Sequence, residues 1–184
     1  MRVITGTARG ATLFTLDGNE MRPTSQRVKE AVFSAVQFHI PGAEVLDLFA
    51  GTGQMGIEAL SRGAKEAVFV DASEDCIKLI RKNLNKTGLY DKSRVVKSDV
   101  FRFMAAADRE YDIVFIDPPY KLNLAAKIVR RTEPHVSEDG FLICETEPGI
   151  KMAETVGQLT LLKQYKHGQT LIWLYRKTQK AEQK

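Results

Sequence analysis

Glu44-Val45-Leu46-Asp47-Leu48-Phe49-Ala50-Gly51-Thr52-Gly53-Gln54-Met55-Gly56 is an apolar run that ends in a glycine-rich turn. Val45, Leu46, Leu48 and Phe49, bounded by turn residues, read as a buried strand. Gly51, Gly53 and Gly56 then fall in G-x-G-x-x-G order, and a helix follows through about Arg62. A strand running through a tight glycine turn into a helix is how a doubly wound α/β sheet opens.

Working outward, the chain keeps alternating strand and helix. Ala67-Val68-Phe69-Val70 reads as a second strand ending at Asp71, and Ser73 caps a helix with Ile77, Ile80, Leu84 and Leu89 on one face. Arg94 to Lys97 is a third strand, ending at Ser98-Asp99, and Val100 to Ala107 a short helix. Tyr111 to Ile116 is a fourth strand, cut off after Asp117 by Pro118 and Pro119, which lack the N–H a ladder needs. Leu124 to about His135 is helical, with Ile128 and Val129 inward, and Gly140 to Glu145 is strand five. Two last strands, about Leu159 to Tyr165 and Thr170 to Tyr175, are joined by too few residues for a crossover helix, so they pair antiparallel. The fold class is therefore α/β, with a mostly parallel seven-stranded Rossmann-like sheet over 44–176 and a C-terminal antiparallel hairpin.

Before this core, residues 2–16 read as a small hairpin turning around Gly6 to Gly10, with Arg9 at its tip. Thr24 or Ser25 is a plausible cap for a helix to about Phe38, in which Val28, Val32, Phe33 and Val36 recur at helical spacing; Pro41-Gly42 stops it. Residues 1–40 thus form an extension on one domain spanning 1–184, and 177–184 is a polar tail. At 184 residues, 43% hydrophobic and 27% charged, the composition is that of one soluble globular domain. Cys76 and Cys144 are too few for a disulfide framework, and His39, His135 and His167 are scattered, so we expect reduced thiols and no metal. No stretch has the length of a signal peptide or a membrane span, which points to the cytoplasm and away from membranes. The net charge of +4 is uneven: residues 1–30 carry +2, 150–184 carry +5 and the middle carries −3. Basic ends on a near-neutral body suit a polyanion.

Asp117-Pro118-Pro119-Tyr120 carries the chemistry. Open α/β sheets place ligands at the carboxyl ends of their strands, which is where Asp117 falls. Its carboxylate and the Pro118 carbonyl accept hydrogen bonds from an amine, while the Tyr120 ring offers a planar base a surface to stack on. Asp-Pro alone also opens ordinary turns. The glycine turn, with Asp71 standing 18 residues beyond Gly53, also fits a nicotinamide dinucleotide. Asp47 argues against that, since a carboxylate there repels a pyrophosphate and suits a cationic amino group. S-adenosylmethionine fits better. Asp47, Gly51 and Gly53 meet its amino-acid end, Asp71 with Ala72 its ribose, and Asp99 with Val100 its adenine. Phe49 lines that pocket or belongs to the core, and Asp99 serves equally as a helix cap.

Taken together, Asp47 to Gly53, Asp71, Asp99 and Asp117 to Tyr120 resemble class I S-adenosylmethionine-dependent amino-methyltransferases. Arg2-Val3-Ile4, Arg9-Gly10, Arg22-Pro23-Thr24 with Arg27 to Phe33, and Gly56 to Ala64 extend the likeness over nearly the whole chain. With these, the chain resembles the bacterial RsmD family of 16S rRNA guanine-N2 methyltransferases. The resemblance implies methylation of one guanine N2 in small-subunit rRNA, free or within the small ribosomal subunit or its assembly intermediate. It also implies RNA contacts from the hairpin and the Arg-Pro-Thr segment, through Arg9, Arg22, Thr24 and Arg27. Thr52 and Gln54 stand where smaller residues are expected. Nothing in the sequence demands more than a monomer. The rivals are a DNA adenine-N6 methyltransferase using the same turn, a silent RNA-binding protein and an NAD-dependent oxidoreductase.

Overall fold

The computed structural model describes residues 1–16, 26–119 and 124–178. Its centre is a sheet of eight strands in the order β3-β2-β1-β4-β5-β8-β7-β6. These are β1 (Glu44–Leu48), β2 (Glu66–Asp71), β3 (Ser93–Lys97), β4 (Tyr111–Ile116), β5 (Val136–Thr146), β6 (Thr155–Val156), β7 (Leu159–His167) and β8 (Thr170–Lys177). β1 pairs parallel with β2 and β4, β2 with β3, and β4 with β5. β8 then runs antiparallel to both β5 and β7. The eighth strand, beyond the seven read from sequence, is the two-residue β6 paired to the outer edge of β7. Two residues carry no periodicity to detect.

Among the described residues five α-helices cover the sheet: α1 (Gln26–Ala35), α2 (Gln54–Ser61), α3 (Glu74–Thr87), α4 (Val100–Ala106) and α5 (Ala125–Thr132). The strands feed two cores by strict alternation. Val45, Ala67, Phe69, Ile113, Phe115, Phe141 and Ile143 pack with α1, α2 and α3. Leu46, Leu48, Val68, Val70, Val114, Ile116, Leu142 and Cys144 pack with α4 and α5. Burial on both faces explains why these strands read as continuous apolar runs. The expected inward residues Val28, Val32, Phe33, Val36, Ile77, Ile80, Leu84, Leu89, Ile128 and Val129 are all buried, as are both free cysteines.

α3 follows its signals closely. Ser73 accepts from the Cys76 amide, Glu74 and Asp75 stand in the first turn, and Gly88 ends the helix in the left-handed conformation. Elsewhere the boundaries shift. The helix read to about His135 ends at Thr132 and tightens into a 3-10 turn over Glu133–His135. β5 starts four residues earlier than the apolar run, with Val136 paired to Tyr111 before the register shifts and the ladder resumes at Phe141. Gly140 sits at that irregularity, where a Cβ would lie 2.8 Å from the Ser137 carbonyl and 3.0 Å from that of Asp112. The hairpin between β7 and β8 turns through Gly168 and Gln169 alone, with Gly168 at φ +59°.

The N-terminal hairpin is less regular than its sequence. One antiparallel bridge, Arg2 to Thr12, holds it as a ladder. It is fixed mainly by side chains of α2 and α3. Glu58, fully buried, accepts from the Ile4 and Thr5 amides at 2.8 and 3.0 Å, and pairs with Lys29 at 3.1 Å and Arg62 at 2.9 Å. Ser61 accepts from the Ala8 amide, and buried Asn83 brackets the Phe14 amide and carbonyl while also donating to the Thr52 carbonyl. The extension therefore hangs on the helix that starts at the glycine turn. The cap assigned to Thr24 or Ser25 lies outside the described residues.

Candidate active site at the strand switch

The strand order reverses between β1 and β4: from β1 the chain winds outward to β3, then returns to β4 on β1's other side. The crevice outside such a reversal is the ligand site of open α/β sheets. The two sequences singled out as chemical, the glycine turn after β1 and the Asp-Pro-Pro turn after β4, flank it. The Asp117 amide donates to the Leu48 carbonyl at 3.5 Å, tying one turn to the end of the other strand.

On the β1 side the loop is held by carboxylates. Asp47 Oδ2 accepts the Gly56 amide at 2.9 Å in the first turn of α2, and the residue is only 4% exposed. Burial pushes its carboxyl up to about 7; the Gly56 bond pulls the other way and the nearby charge of Asp71 adds to the rise. Phe49 is a non-glycine residue at φ +57°, the sparsely populated left-handed region, and it packs half-buried against the α4–α5 core. Gly51 and Gly53 also take positive φ, +55° and +78°, and Gly53 is the N-cap of α2. The third glycine serves packing. A Cβ on Gly56 would sit 2.3 Å from the Phe69 ring. Gln54, one of the two residues larger than expected, is 7% exposed, and its Oε1 has no hydrogen-bond partner among the described residues.

Asp71, at the end of β2, accepts the Gly51 amide on Oδ2 at 2.9 Å and the Ser73 amide on Oδ1 at 2.8 Å. Each oxygen keeps a second lone pair. Exposed Ala72 follows it. Asp99 takes the capping role weighed in the sequence, accepting the Arg102 amide at 3.0 Å at the start of α4, while Val100 beside it is buried.

On the β4 side Asp117 is half-buried, Pro118 buried and Pro119 exposed. The Asp117 carboxyl is held well above the usual carboxylate range, first by burial and then by the negative charges of Glu145 and Asp47. Glu145 is the residue that sequence reasoning passed over. It lies one residue before the end of β5, beside Asp117, is 7% exposed, and accepts from the Thr170 hydroxyl at 3.3 Å. It also lines a shallow recess, open to solvent, with Pro118, Pro119 and Ile150. The signal was present: a single acid ends the apolar run Phe141–Cys144, the same pattern that drew attention to Asp71 and Asp117. Arg9 and Arg27 are exposed, on the N-terminal turn and on α1. Tyr120, Arg22 and Thr24 lie outside the described residues. Among the described residues no group of three or more His, Cys, Asp or Glu could hold a metal ion, and no helix is long and apolar enough to cross a membrane.

Acids at adjoining strand ends, a glycine turn and a proline-stiffened turn thus meet at one crevice. The family described as Conserved hypothetical protein 95 matches residues 1–176. The chain belongs to this family. Its relatives include YlbH of Bacillus subtilis (strain 168), 36% identical over 182 residues that make up 96% of this chain and 99% of the relative. Ribosomal RNA small subunit methyltransferase D of Escherichia coli (strain K12) is 30% identical over 184 residues, 99% of this chain and 92% of the relative. The solved structure of yhhF from Escherichia coli superposes with a TM-score of 0.88 at 31% identity, covering 98% of this chain and 99% of that one. By family and fold the chain is a class I methyltransferase.

Proposed function

We propose that this enzyme transfers a methyl group from S-adenosylmethionine to the exocyclic N2 amine of a guanine in 16S rRNA, acting in the cytoplasm on the small ribosomal subunit or its assembly intermediate. The observation that carries the reading is the meeting of the Asp-Pro-Pro turn with the glycine turn across the β1–β4 switch. The relatives named for small-subunit rRNA support the substrate class.

The donor set fits the cofactor. It supplies a methyl group on a sulfonium, together with an ammonium, two ribose hydroxyls and an adenine amine, all donors. The site opposes them with acceptors: buried Asp47, Gln54 Oε1 (unpaired among the described residues), the spare lone pairs of Asp71, and Asp99. Phe49, Gly51, Gly53, Ala72 and Val100 shape the walls between them.

Asp117 and the Pro118 carbonyl accept the two N2 hydrogens of the base. This turns the N2 lone pair, otherwise delocalised into the ring, toward the methyl carbon. The cofactor, when bound, would supply the methyl group and its sulfur would keep the C–S electron pair; Asp117 would take the one proton that N2 gives up. Burial among acids makes that carboxylate a better proton acceptor than a solvated one. The gain is mostly positioning in a site that needs little reorganisation. Tyr120 stacks on the extruded base and offsets part of the lost stacking. Arg9, Arg22, Thr24 and Arg27 hold the RNA backbone.

Mass mapping of methylated nucleotides in 16S rRNA, with and without the gene, tests the proposal. One guanine should lose its N2-methyl group when the enzyme is absent. Asp117→Ala should bind S-adenosylmethionine by calorimetry and fail to turn over; an unchanged rRNA map would overturn the assignment.

A further inference from the structure

Residues 150–184 carry a net +5, and the chemistry at Asp117 uses none of it. Two of these cations are structural: Arg176 pairs with Asp139 at 2.9 Å, and Lys177 donates to the Val136 carbonyl at 2.6 Å. Lys163 and Lys166, on β7, are exposed. β8 runs antiparallel to both β5 and β7, so β7 ends at the sheet edge where β4 and β5 end. The register fixes the level. Ile116 pairs with Cys144, which puts Asp117 beside Glu145; Glu145 pairs with Ile172, and Ile172 with Tyr165. At about 4.8 Å per strand, β7 stands about 14 Å from Asp117, within the reach of a few nucleotides. Tyr165 is half-buried, and the Lys163 ammonium sits 4.9 Å from its ring centre. Lys166 projects from the opposite face of the strand, so the two lysines straddle the outer edge of β7. Past Thr160 that edge meets no strand among the described residues, since β6 pairs with Leu159 and Thr160 alone.

We propose that Lys163 and Lys166 make the open edge of β7 a docking surface for the backbone of the rRNA segment next to the target base. The inference rests on the methyl-transfer reading. There Asp47, Asp71 and Asp99 give the ends of β1, β2 and β3 to the cofactor. RNA that delivers a base to Asp117 therefore passes over the other half of the edge, where β5, β8 and β7 lie. Charge is sorted along that half. Glu145 and Glu147 wall the recess beside Pro118 and Pro119, in the zone that receives a base bearing N–H donors. The lysines stand two strands further out, clear of those acids, where ammonium groups meet phosphates. Tyr165 steadies the Lys163 stem for that contact. Lysines on an edge strand also keep it from pairing with another sheet. Charge of either sign does that; only a polyanion requires positive charge.

The test is kinetic, on small ribosomal subunits from a strain lacking the gene, with K163E/K166E and K163R/K166R. The Glu pair keeps the edge charged and reverses its sign. Its KM for subunits should rise about tenfold or more at about 0.1 M salt, and the slope of log KM against log salt should fall by about 1.5, the share of two phosphate contacts. Its kcat at saturating subunits and its calorimetric binding of S-adenosylmethionine should equal wild type, and the Arg pair should match wild type throughout. An unchanged salt slope in K163E/K166E overturns the proposal, whatever KM does. If that variant does not bind cofactor, acetylation of the wild-type enzyme decides. Subunits should shield Lys163 and Lys166 and leave exposed Lys78 reactive; equal labelling with and without subunits overturns the proposal alone. Wild-type enzyme that methylates no guanine in the subunits refutes the parent reading instead.

Discussion

Asp47 links stability and function in a way that can be measured without substrate. Its carboxyl is raised from 3.8 to about 7, chiefly because burial opposes its charge. The folded chain therefore holds a proton here that the unfolded chain releases, and stability falls as pH rises from about 4 to about 7. Three units at 1.36 kcal/mol each put the full penalty at about 4 kcal/mol above pH 7. Asp47→Asn keeps an oxygen that accepts the Gly56 amide and removes the charge. In cofactor-free protein the variant should gain on wild type as pH rises, by about 2–3 kcal/mol between pH 5 and pH 8.5. For a chain of 184 residues that corresponds to a melting-temperature gap widening by about 5–10 °C. Urea denaturation at four pH values across this range reads the gap directly. In the proposed reading the Asp47 charge meets the cofactor's ammonium, so the same variant should bind S-adenosylmethionine at least tenfold more weakly. A stability difference that stays flat with pH would refute the reasoning.

Glu58→Ala should lower stability by about 3–5 kcal/mol, because it strands the Lys29 ammonium in the interior and frees the Ile4 and Thr5 amides; hydrogen exchange should show residues 1–16 losing protection while β1 and β4 keep theirs. Lys29, whose amine burial already pushes below its usual range, should then titrate lower still by NMR. Gly56→Ala places a methyl 2.3 Å from the Phe69 ring and should cost about 1–3 kcal/mol by denaturant midpoint, so a neutral result would contradict the helix–strand contact. Tyr120→Ala should slow transfer with cofactor affinity unchanged, and an unaltered single-turnover rate would remove the stacking role.

The hairpin shows where local patterning stops. Arg2 to Leu16 alternates like two strands around glycines, yet one bridge is all the ladder it forms. Its hold comes from Glu58, Ser61 and Asn83, which lie 53 to 69 residues away. Nothing local in the sequence marks Lys29 or Glu58 for burial; both are buried where the N-terminal extension packs on α1 and α2. Asp99 was legible as a cap because capping is a local bond.

The chain's own order of residues determined the strands, the helices and the acid that ends each apolar run. Those features rest on alternation, on glycines at positive φ and on proline's missing donor, all of which act within a few residues. Which ends become neighbours was settled by packing. Crossovers must bury both faces of the sheet, so the chain reverses between β1 and β4, and Asp47, Asp117 and Glu145 converge from positions 47, 117 and 145. That convergence raises the carboxyl of Asp117 and gives Glu145 a place beside it, and no property of either short segment alone contains it.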